Sequence, residues 1–163
     1  QYVLPYYDFD TIIDQNYTNG SISFNSSGSN NLSETNNLKS NIINNLNFTE
    51  NYISNLGLSN NLNINLKNLN SLGKKNRDYK SSPQIELISL FEANTSLPLI
   101  KENQKYTNYL TPKISFRFNP SDMKDNSSSS KTINVGNIFA LNRLGLSDTF
   151  ESGRSLTLGV NYK

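Results

Sequence analysis

The stretch from Leu56 to Lys67, LGLSNNLNINLK, alternates between apolar and polar residues over most of its length. Because successive side chains of a β-strand point to opposite faces, this pattern predicts a strand, whereas a helix would scatter the leucines around its circumference. One face is apolar and consists of Leu56, Leu58, Leu62, Ile64 and Leu66. The other face is rich in amides and includes Asn61, Asn63 and Asn65.

The rest of the composition is poor in core-forming residues. Only 34% of the 163 residues are hydrophobic, although a chain of this length normally builds one domain with a real core. The charged fraction is low at 17%, and the apolar residues are ordered in alternation, which argues against a disordered chain. A net charge of +2 does not indicate nucleic acid as a partner.

The sequence contains no cysteine, histidine or tryptophan. This composition excludes disulfides, metal sites built on His or Cys, and nucleophilic catalysis by Ser-His or Cys-His pairs. Asp8 and Asp10 are the best candidates for paired catalytic acids. They share one strand face beside a turn, without a base or metal ligand near them in the sequence, so we interpret them as a solvated hairpin end. We expect neither enzymatic activity nor a cofactor.

Six other stretches show a similar alternation, and turn signals such as Asn19-Gly20 separate them. Besides 56–67, the predicted strands are 2–13, 21–29, 38–49, 83–93, 110–119 and 156–162. The last of these has an apolar face of Leu156, Leu158 and Val160. We therefore predict a single unit over residues 1–163, with seven antiparallel strands of about ten residues. The final strand looks interrupted, so we expect a fragment of a longer protein.

The connections between the predicted strands differ in length on the two sides of the sheet. Those at 14–19, 50–54 and 94–109 are on the whole shorter than those at 30–36, 70–82 and 120–154. Short turns on one side, long loops on the other and strands with one apolar face are typical of an up-and-down outer-membrane β-barrel. In that interpretation the apolar face meets lipid and the polar face lines an aqueous lumen. The lumen-facing candidates are Asn61, Asn63, Asn65, Lys113 and Arg117. The strands of a soluble β-sandwich alternate in the same way, so a sandwich is the alternative interpretation of this pattern.

The region from Tyr109 to Tyr162 carries a motif in addition to the alternation. It reads YLTPKISFRFNPSD and then NIFALNRLGLSDTFESGRSLTLGVNY. This order resembles the family of the outer-membrane lipopolysaccharide-assembly protein LptD, and YVLPYYDFD near the start resembles another strand of that family. The matching residues are Ile138, Phe139, Asn142, Arg143, Gly145, Asp148, Glu151, Gly153, Gly159 and Tyr162.

The motif residues of the long loop have plain structural roles. Gly145 and Gly153 permit backbone conformations that other residues resist, and Arg143 can pair with Asp148 or Glu151. We therefore interpret the motif as ordering the loop rather than binding a ligand. The residues of this structural motif are Asn142, Arg143, Gly145, Asp148, Glu151 and Gly153. In the barrel interpretation the loop lies on the cell-surface side and can fold over or into the lumen.

The resemblance implies a location and a function. It implies a middle portion of a large barrel in the cell outer membrane, which passes lipopolysaccharide into the outer leaflet without catalysis. The implied partners are lipopolysaccharide, membrane lipid, an LptE-like lipoprotein plug in the lumen, and periplasmic bridge proteins that bind an N-terminal domain not contained in this sequence. Two alternatives are a porin-like or TonB-linked channel and a soluble or surface-displayed adhesive domain whose polar face meets carbohydrate.

Overall fold

The computed structural model describes residues 2–33, 36–76, 79–123, 130–146 and 149–163. These residues form one antiparallel sheet that is curled into a half-barrel, as the alternation predicts. The strands are β1 (Tyr2–Ile13), β2 (Ser21–Ser33), β3 (Asn37–Ile53), β4 (Ser59–Lys74), β5 (Gln84–Ser96), β6 (Leu99–Glu102), β7 (Thr107–Asn119) and β8 (Gly153–Tyr162). No helix in this part of the chain is long and apolar enough to cross a bilayer.

Strands that follow one another in sequence are also neighbours in the sheet, with one interruption. The predicted connection 94–109 contains β6, which the alternation does not reveal. The pairs Ser96–Lys113 and Leu99–Leu110 keep the same register on β7, so β6 continues the line of β5. The break falls at Pro98, which has no amide hydrogen to donate to a neighbouring strand. The eight strands therefore follow the predicted path of seven.

The boundaries of β4 differ from the prediction. Leu56 and Leu58 precede the strand, because Gly57 has a φ of 78° and its amide donates to the carbonyl of Ser54 in a tight turn. Leu56 is 82% exposed at this turn. At its other end β4 continues beyond Lys67, so it has 16 residues, and β3 has 17, instead of about ten.

The sheet has two chemically different sides. We call the side of Asn61 and Asn63 the polar face, and the side of Leu62 and Ile64 the apolar face. The register places the other predicted lumen-facing and lipid-facing residues of the strands on the corresponding faces. All eight strands belong to one sheet, and the described residues form no second sheet against the apolar face. The side chains there remain accessible, as the 72% exposure of Leu158 shows.

The small hydrophobic core lies on the polar face. Leu69, Ile88, Leu90 and Phe150 are buried, and Ile43 and Leu141 pack against them. Four of these residues belong to β3, β4 and β5 and interrupt the run of polar side chains on that face. Phe150 and Leu141 come from the connection between β7 and β8, which runs from 120 to 152. The buried apolar side chains of the polar face therefore lie where residues of this connection pack.

Candidate functional site

The second half of the long connection lies on the polar face. We call its described residues, 136–146 and 149–151, the docked segment. The Arg117 guanidinium on β7 donates hydrogen bonds to the carbonyls of Ala140 at 3.2 Å and Leu141 at 2.7 Å. The ring of Phe139 packs so closely on Gly159 that a Cβ there would lie 2.7 Å from it. These contacts attach the segment to both of the last two strands.

Four charged side chains join the docked segment to the sheet. Arg117 Nε lies 3.7 Å from Glu92 Oε2 on β5, and Arg117 Nη2 lies 3.4 Å from Glu151 Oε2. Arg143 Nε lies 3.1 Å from Glu151 Oε1. We call Glu92, Arg117, Arg143 and Glu151 the charged cluster. Its two arginines and two glutamates have equal and opposite formal charge, which is what buried ionic groups require to remain charged.

The charged cluster is strongly buried. The side chains of Glu92 and Arg117 are only 2% and 3% exposed. Glu92 Oε2, Arg143 Nε and Glu151 Oε1 have no aligned hydrogen bond, so the contact of Glu92 with Arg117 Nε and that of Arg143 with Glu151 are ionic. Loss of one partner would leave the other charge buried in a site closed to water, which is far costlier than the pair itself is worth. The cluster therefore works as a clasp for the segment.

Two of the predicted motif residues, Arg143 and Glu151, belong to this clasp, and three others shape the backbone around it. Arg143 pairs with Glu151, one of its two predicted partners, and also donates to Ser155 Oγ at 2.9 Å. Asn142 closes the turn, because its side chain donates to the carbonyl of Leu146 and accepts from the amide of the same residue. Gly145 and Gly153 have φ angles of 62° and 89°, conformations that favour glycine. Asp148 lies outside the described residues.

Two residues of the site are not apparent from the sequence. Glu92 faces Arg117 only because β5 and β7 pair in a register that brings residues 92 and 117 opposite each other. Asn119, at the end of β7, donates to the carbonyls of Phe150 at 3.3 Å and Glu151 at 3.1 Å. The alternation assigns both residues to the polar side, but the partner of Glu92 depends on the strand register and the partners of Asn119 depend on where the docked segment lies.

The predicted lumen-facing residues fall into two groups. Asn61 and Asn63 lie in a network of amides that crosses β3 and β4, with Asn61 Nδ2 donating to Asn51 Oδ1 at 2.7 Å and Thr49 Oγ1 donating to Asn63 Oδ1 at 3.1 Å. Asn65 and Arg117 also lie on the polar face, but they are covered by neighbouring groups and are only 7% and 3% exposed. The ammonium group of Lys113 lies 5.9 Å from the ring centre of Phe139 in the docked segment.

The predicted lipid-facing residues of β4 and β8 share the apolar face. Ile64 and Leu66 are 36% and 39% exposed, and the three candidates on β8 are more exposed still. Those on β4 and β8 are Leu62, Ile64, Leu66, Leu156, Leu158 and Val160. Leu56 and Leu58 lie before β4, at the hairpin turn.

The geometry of the polar face suits holding a segment and presenting hydrogen-bonding groups. The described residues include no group of three or more carboxylates that could bind a metal ion. The charged side chains of the cluster are committed to one another, and the amides outside it are neutral donors and acceptors. No family model, curated protein or solved structure matches this chain, so its likeness to the LptD family stays a prediction from the residues.

Proposed function

We propose that this chain forms part of the wall of an outer-membrane β-barrel that passes lipopolysaccharide to the outer leaflet. The observation that carries the proposal is a single curled sheet whose apolar side chains remain exposed on one face. Soluble monomers rarely expose large continuous apolar patches to water. Hydrocarbon is the solvent in which such a face is stable without a second layer of protein.

The apolar face extends over β3, β4, β5, β7 and β8, with two charged exceptions, Glu50 opposite Leu62 and Arg154 opposite Phe118. The register places Phe48, Ile64, Phe91 and Phe118 in one row across β3, β4, β5 and β7. A second row contains Leu62, Ala93, Phe116 and Leu156, and a third brings Ile114 beside Leu158. Phe116 and Leu156 are 41% and 64% exposed. Scattered exposed leucines would need no explanation, but rows of apolar side chains on five strands favour contact with lipid.

The sheet edges favour a larger closed structure. β1 and β8 lie at the two edges of the described sheet. Unpaired backbone amides and carbonyls are expensive in hydrocarbon, so spanning sheets close into barrels. In the proposal, strands beyond these eight complete the wall. β1 and β8 would then each pair with one further strand.

The cargo is inferred from the polar face together with the family resemblance. Neutral amides, such as those of Asn61 and Asn63, offer hydrogen bonds to sugars without a strong electrostatic trap. The charged cluster is internally neutral, so it adds no net attraction for phosphate. Two of the residues that carry the resemblance to the LptD family, Arg143 and Glu151, contact each other in the charged cluster. An LptE-like plug and periplasmic bridge proteins are partners that follow from this proposal.

Photo-crosslinking tests the function with a matched pair of neighbouring positions. A photoreactive amino acid replaces Asn61 on the polar face or Leu62 on the apolar face, within the full-length protein in a Gram-negative cell. The proposal predicts adducts with the lipopolysaccharide sugar region at residue 61 and with acyl chains at residue 62. A porin-like wall would give lipid adducts at residue 62 but no lipopolysaccharide at residue 61. A soluble adhesive domain would give no lipid adduct at residue 62.

A further inference from the structure

A row of polar side chains crosses the otherwise apolar face. Ser26 on β2, Asn44 on β3 and Asn68 on β4 stand opposite one another in the register, and we call these three residues the polar row. Ser26 Oγ donates to Asn44 Oδ1 at 2.7 Å, and Asn44 Nδ2 donates to Asn68 Oδ1 at 3.1 Å. The hydroxyl of Tyr7 lies 3.2 Å from Ser26 Oγ and extends the hydrogen bonding to β1.

A second polar boundary lies toward the opposite ends of the strands. Asn60 on β4 pairs with Tyr52 on β3, and both are on the apolar face. Between Asn60 and Asn68, β4 carries Leu62, Ile64 and Leu66 on that face, and the residues opposite them on β3 are Glu50, Phe48 and Leu46. Eight steps of about 3.4 Å give about 27 Å along the strand, or about 21 Å across the membrane at a tilt of about 40°. This agrees with the apolar band of about 25 Å found on outer-membrane barrels.

The lengths of the strands agree with the same boundary. A tilted strand needs only about 9 to 11 residues to cross the hydrocarbon, whereas β4 has 16 and β3 has 17. The additional residues of both strands lie beyond the polar row, at the end of the sheet that carries the long loops. There the outer surface is mixed, with Ile42 and Leu72 beside Ser40 and Asn70. Mixed surfaces of this kind suit the headgroup layer better than the hydrocarbon.

Tyrosines mark both boundaries. Tyr7 contacts the polar row, and Tyr52 is 54% exposed beside Asn60. Tyrosine is enriched at the two membrane–water interfaces, where its ring sits at headgroup level and its hydroxyl remains hydrated. Two independent features, the polar side chains and the tyrosines, therefore give the same band on β1 to β4.

The two ends of the sheet also differ in charge. The connection 70–82 has four basic residues, Lys74, Lys75, Arg77 and Lys80, and one acidic residue, Asp78. At the opposite end, the turn 14–19 contains Asp14 and no basic residue, and the connection 94–109 contains Lys101, Lys105 and Glu102, so the basic excess there is smaller. The side chains of Lys74, Lys75 and Lys80 are exposed just beyond the mixed surface. Basic side chains at this depth are attracted to anionic lipid headgroups.

We propose that the polar row lies at the boundary between hydrocarbon and headgroups, and that Lys74, Lys75 and Lys80 contact the phosphate groups of anionic lipids beyond it. This inference rests on the membrane location proposed above. It adds the depth of insertion, the direction in which the surplus strand residues project, and the chemistry of the lipid that the loop end contacts.

Tryptophan fluorescence measures the depth directly, because the chain has no tryptophan of its own. Ile64→Trp places an indole in the middle of the band, and Leu72→Trp and Ser40→Trp place one beyond the polar row. Each variant is made in the complete barrel that contains these strands, with any tryptophan elsewhere in that protein replaced by phenylalanine, and is folded into vesicles whose lipids carry bromine either deep or shallow in the acyl chains. We expect stronger quenching by deep bromines for Ile64→Trp and by shallow bromines for the other two variants.

The outcomes separate the two proposals. Equal deep quenching at positions 64, 72 and 40 would overturn the assigned boundary while leaving the membrane location intact. Absence of quenching at position 64 with either lipid would overturn the membrane location itself. Because Leu72→Trp and Ser40→Trp are neighbours on adjacent strands, a folding defect in one variant leaves the other to decide.

Two triple variants test the phosphate contact. Lys74→Gln, Lys75→Gln and Lys80→Gln remove three charges at the loop end, and Lys101→Gln, Lys105→Gln and Lys163→Gln remove three at the opposite end. The urea midpoint of unfolding is compared in phosphatidylcholine vesicles with and without phosphatidylglycerol. We expect the anionic lipid to raise the midpoint for the parent and the second variant, and to raise it by less than half as much for the first. If the anionic lipid raised the urea midpoint by an equally reduced amount in both triple variants, the assigned contact would be overturned.

Discussion

Two neighbouring regions of the polar face satisfy their polar groups in different ways. Over β5 and β7, Glu92 and Arg117 are covered by the docked segment and compensate each other's charge. Over β3 and the start of β4, amides and hydroxyls such as those of Asn61 and Thr49 bond across strands and stay partly accessible. The same alternating sequence pattern therefore produces two kinds of surface on one face of the sheet. One is a covered ionic region, which we call the dry region, and the other is a partly accessible neutral region, which we call the wet region.

The largest loss in the free energy of unfolding is expected when the charged cluster of the dry region loses one of its members. Arg117→Ala leaves Glu92 buried without its counter-ion and removes two hydrogen bonds to the docked segment. We expect a loss of about 3 to 5 kcal/mol in the free energy of unfolding, measured by urea titration in lipid vesicles. The double variant Glu92→Gln with Arg117→Gln removes both charges and should lose less. An equal loss in the two variants would contradict the ionic account of this region.

The next largest loss in the free energy of unfolding is expected from a substitution on the apolar face. Ile64→Arg places a charge in the middle of the apolar band, and we expect it to cost about 2 to 4 kcal/mol in the same titration. Asn61→Asp, three residues away on the polar face, should be tolerated within about 1 kcal/mol, because the side chains that bond to Asn61 are amides. Similar costs at the two positions would mean that the faces do not meet different solvents.

A smaller effect is expected when the clasp is weakened from the segment side. Arg143→Ala removes the contact with Glu151, which still lies 3.4 Å from Arg117. We expect faster proteolytic cleavage within 136–151 and a loss of about 1 to 3 kcal/mol, while the barrel still inserts. Arg143→Lys serves as the control, since it keeps the charge but not the guanidinium geometry. Complete failure of membrane insertion for Arg143→Ala would refute the clasp role.

The smallest effect is expected in the wet region. Thr49→Val removes one hydroxyl that donates to Asn63 at 3.1 Å and keeps the shape of the side chain. Water can replace the lost partner at a partly exposed site, so we expect about 0.5 to 1 kcal/mol in the urea titration. A loss as large as that of Arg117→Ala would show that this region is as dry as the charged cluster, and the comparison would fail.

The sequence predicts the fold better than it predicts the site. The alternation at Leu62, Ile64 and Leu66 is enough to assign a face, because burial on one side enforces a period of two. The alternation allows β4 to run as far as Leu69, but its continuation to Lys74 is hidden, because Asn68 and Asn70 place polar residues on the apolar face and erase the period. The apolar exceptions Ile88 and Leu90 can be explained only by a cover that comes from a distant part of the chain.

The pairs of the charged cluster divide in the same way. Arg143 and Glu151 are close in sequence, and the glycines between and beside them indicate a turn, so their pairing could be predicted. Arg117 on β7 and Glu92 on β5 meet only through the register of these two strands. The short strand β6 separates them in sequence, and no local sequence pattern specifies the register. Contacts set by short loops are readable from sequence, and contacts set by register are not.

The central claim is that the apolar face is bathed in hydrocarbon while the polar face is not. Because the chain has no cysteine, single cysteines at residues 61, 62, 63 and 64 can each carry a nitroxide label in vesicles. Collision rates are then measured with oxygen, which concentrates in lipid, and with a water-soluble nickel complex. The account predicts that labels at 62 and 64 collide with oxygen and avoid nickel, with the reverse at 61 and 63. Labels at 62 and 64 that avoid both reagents, as between two packed sheets, would contradict it.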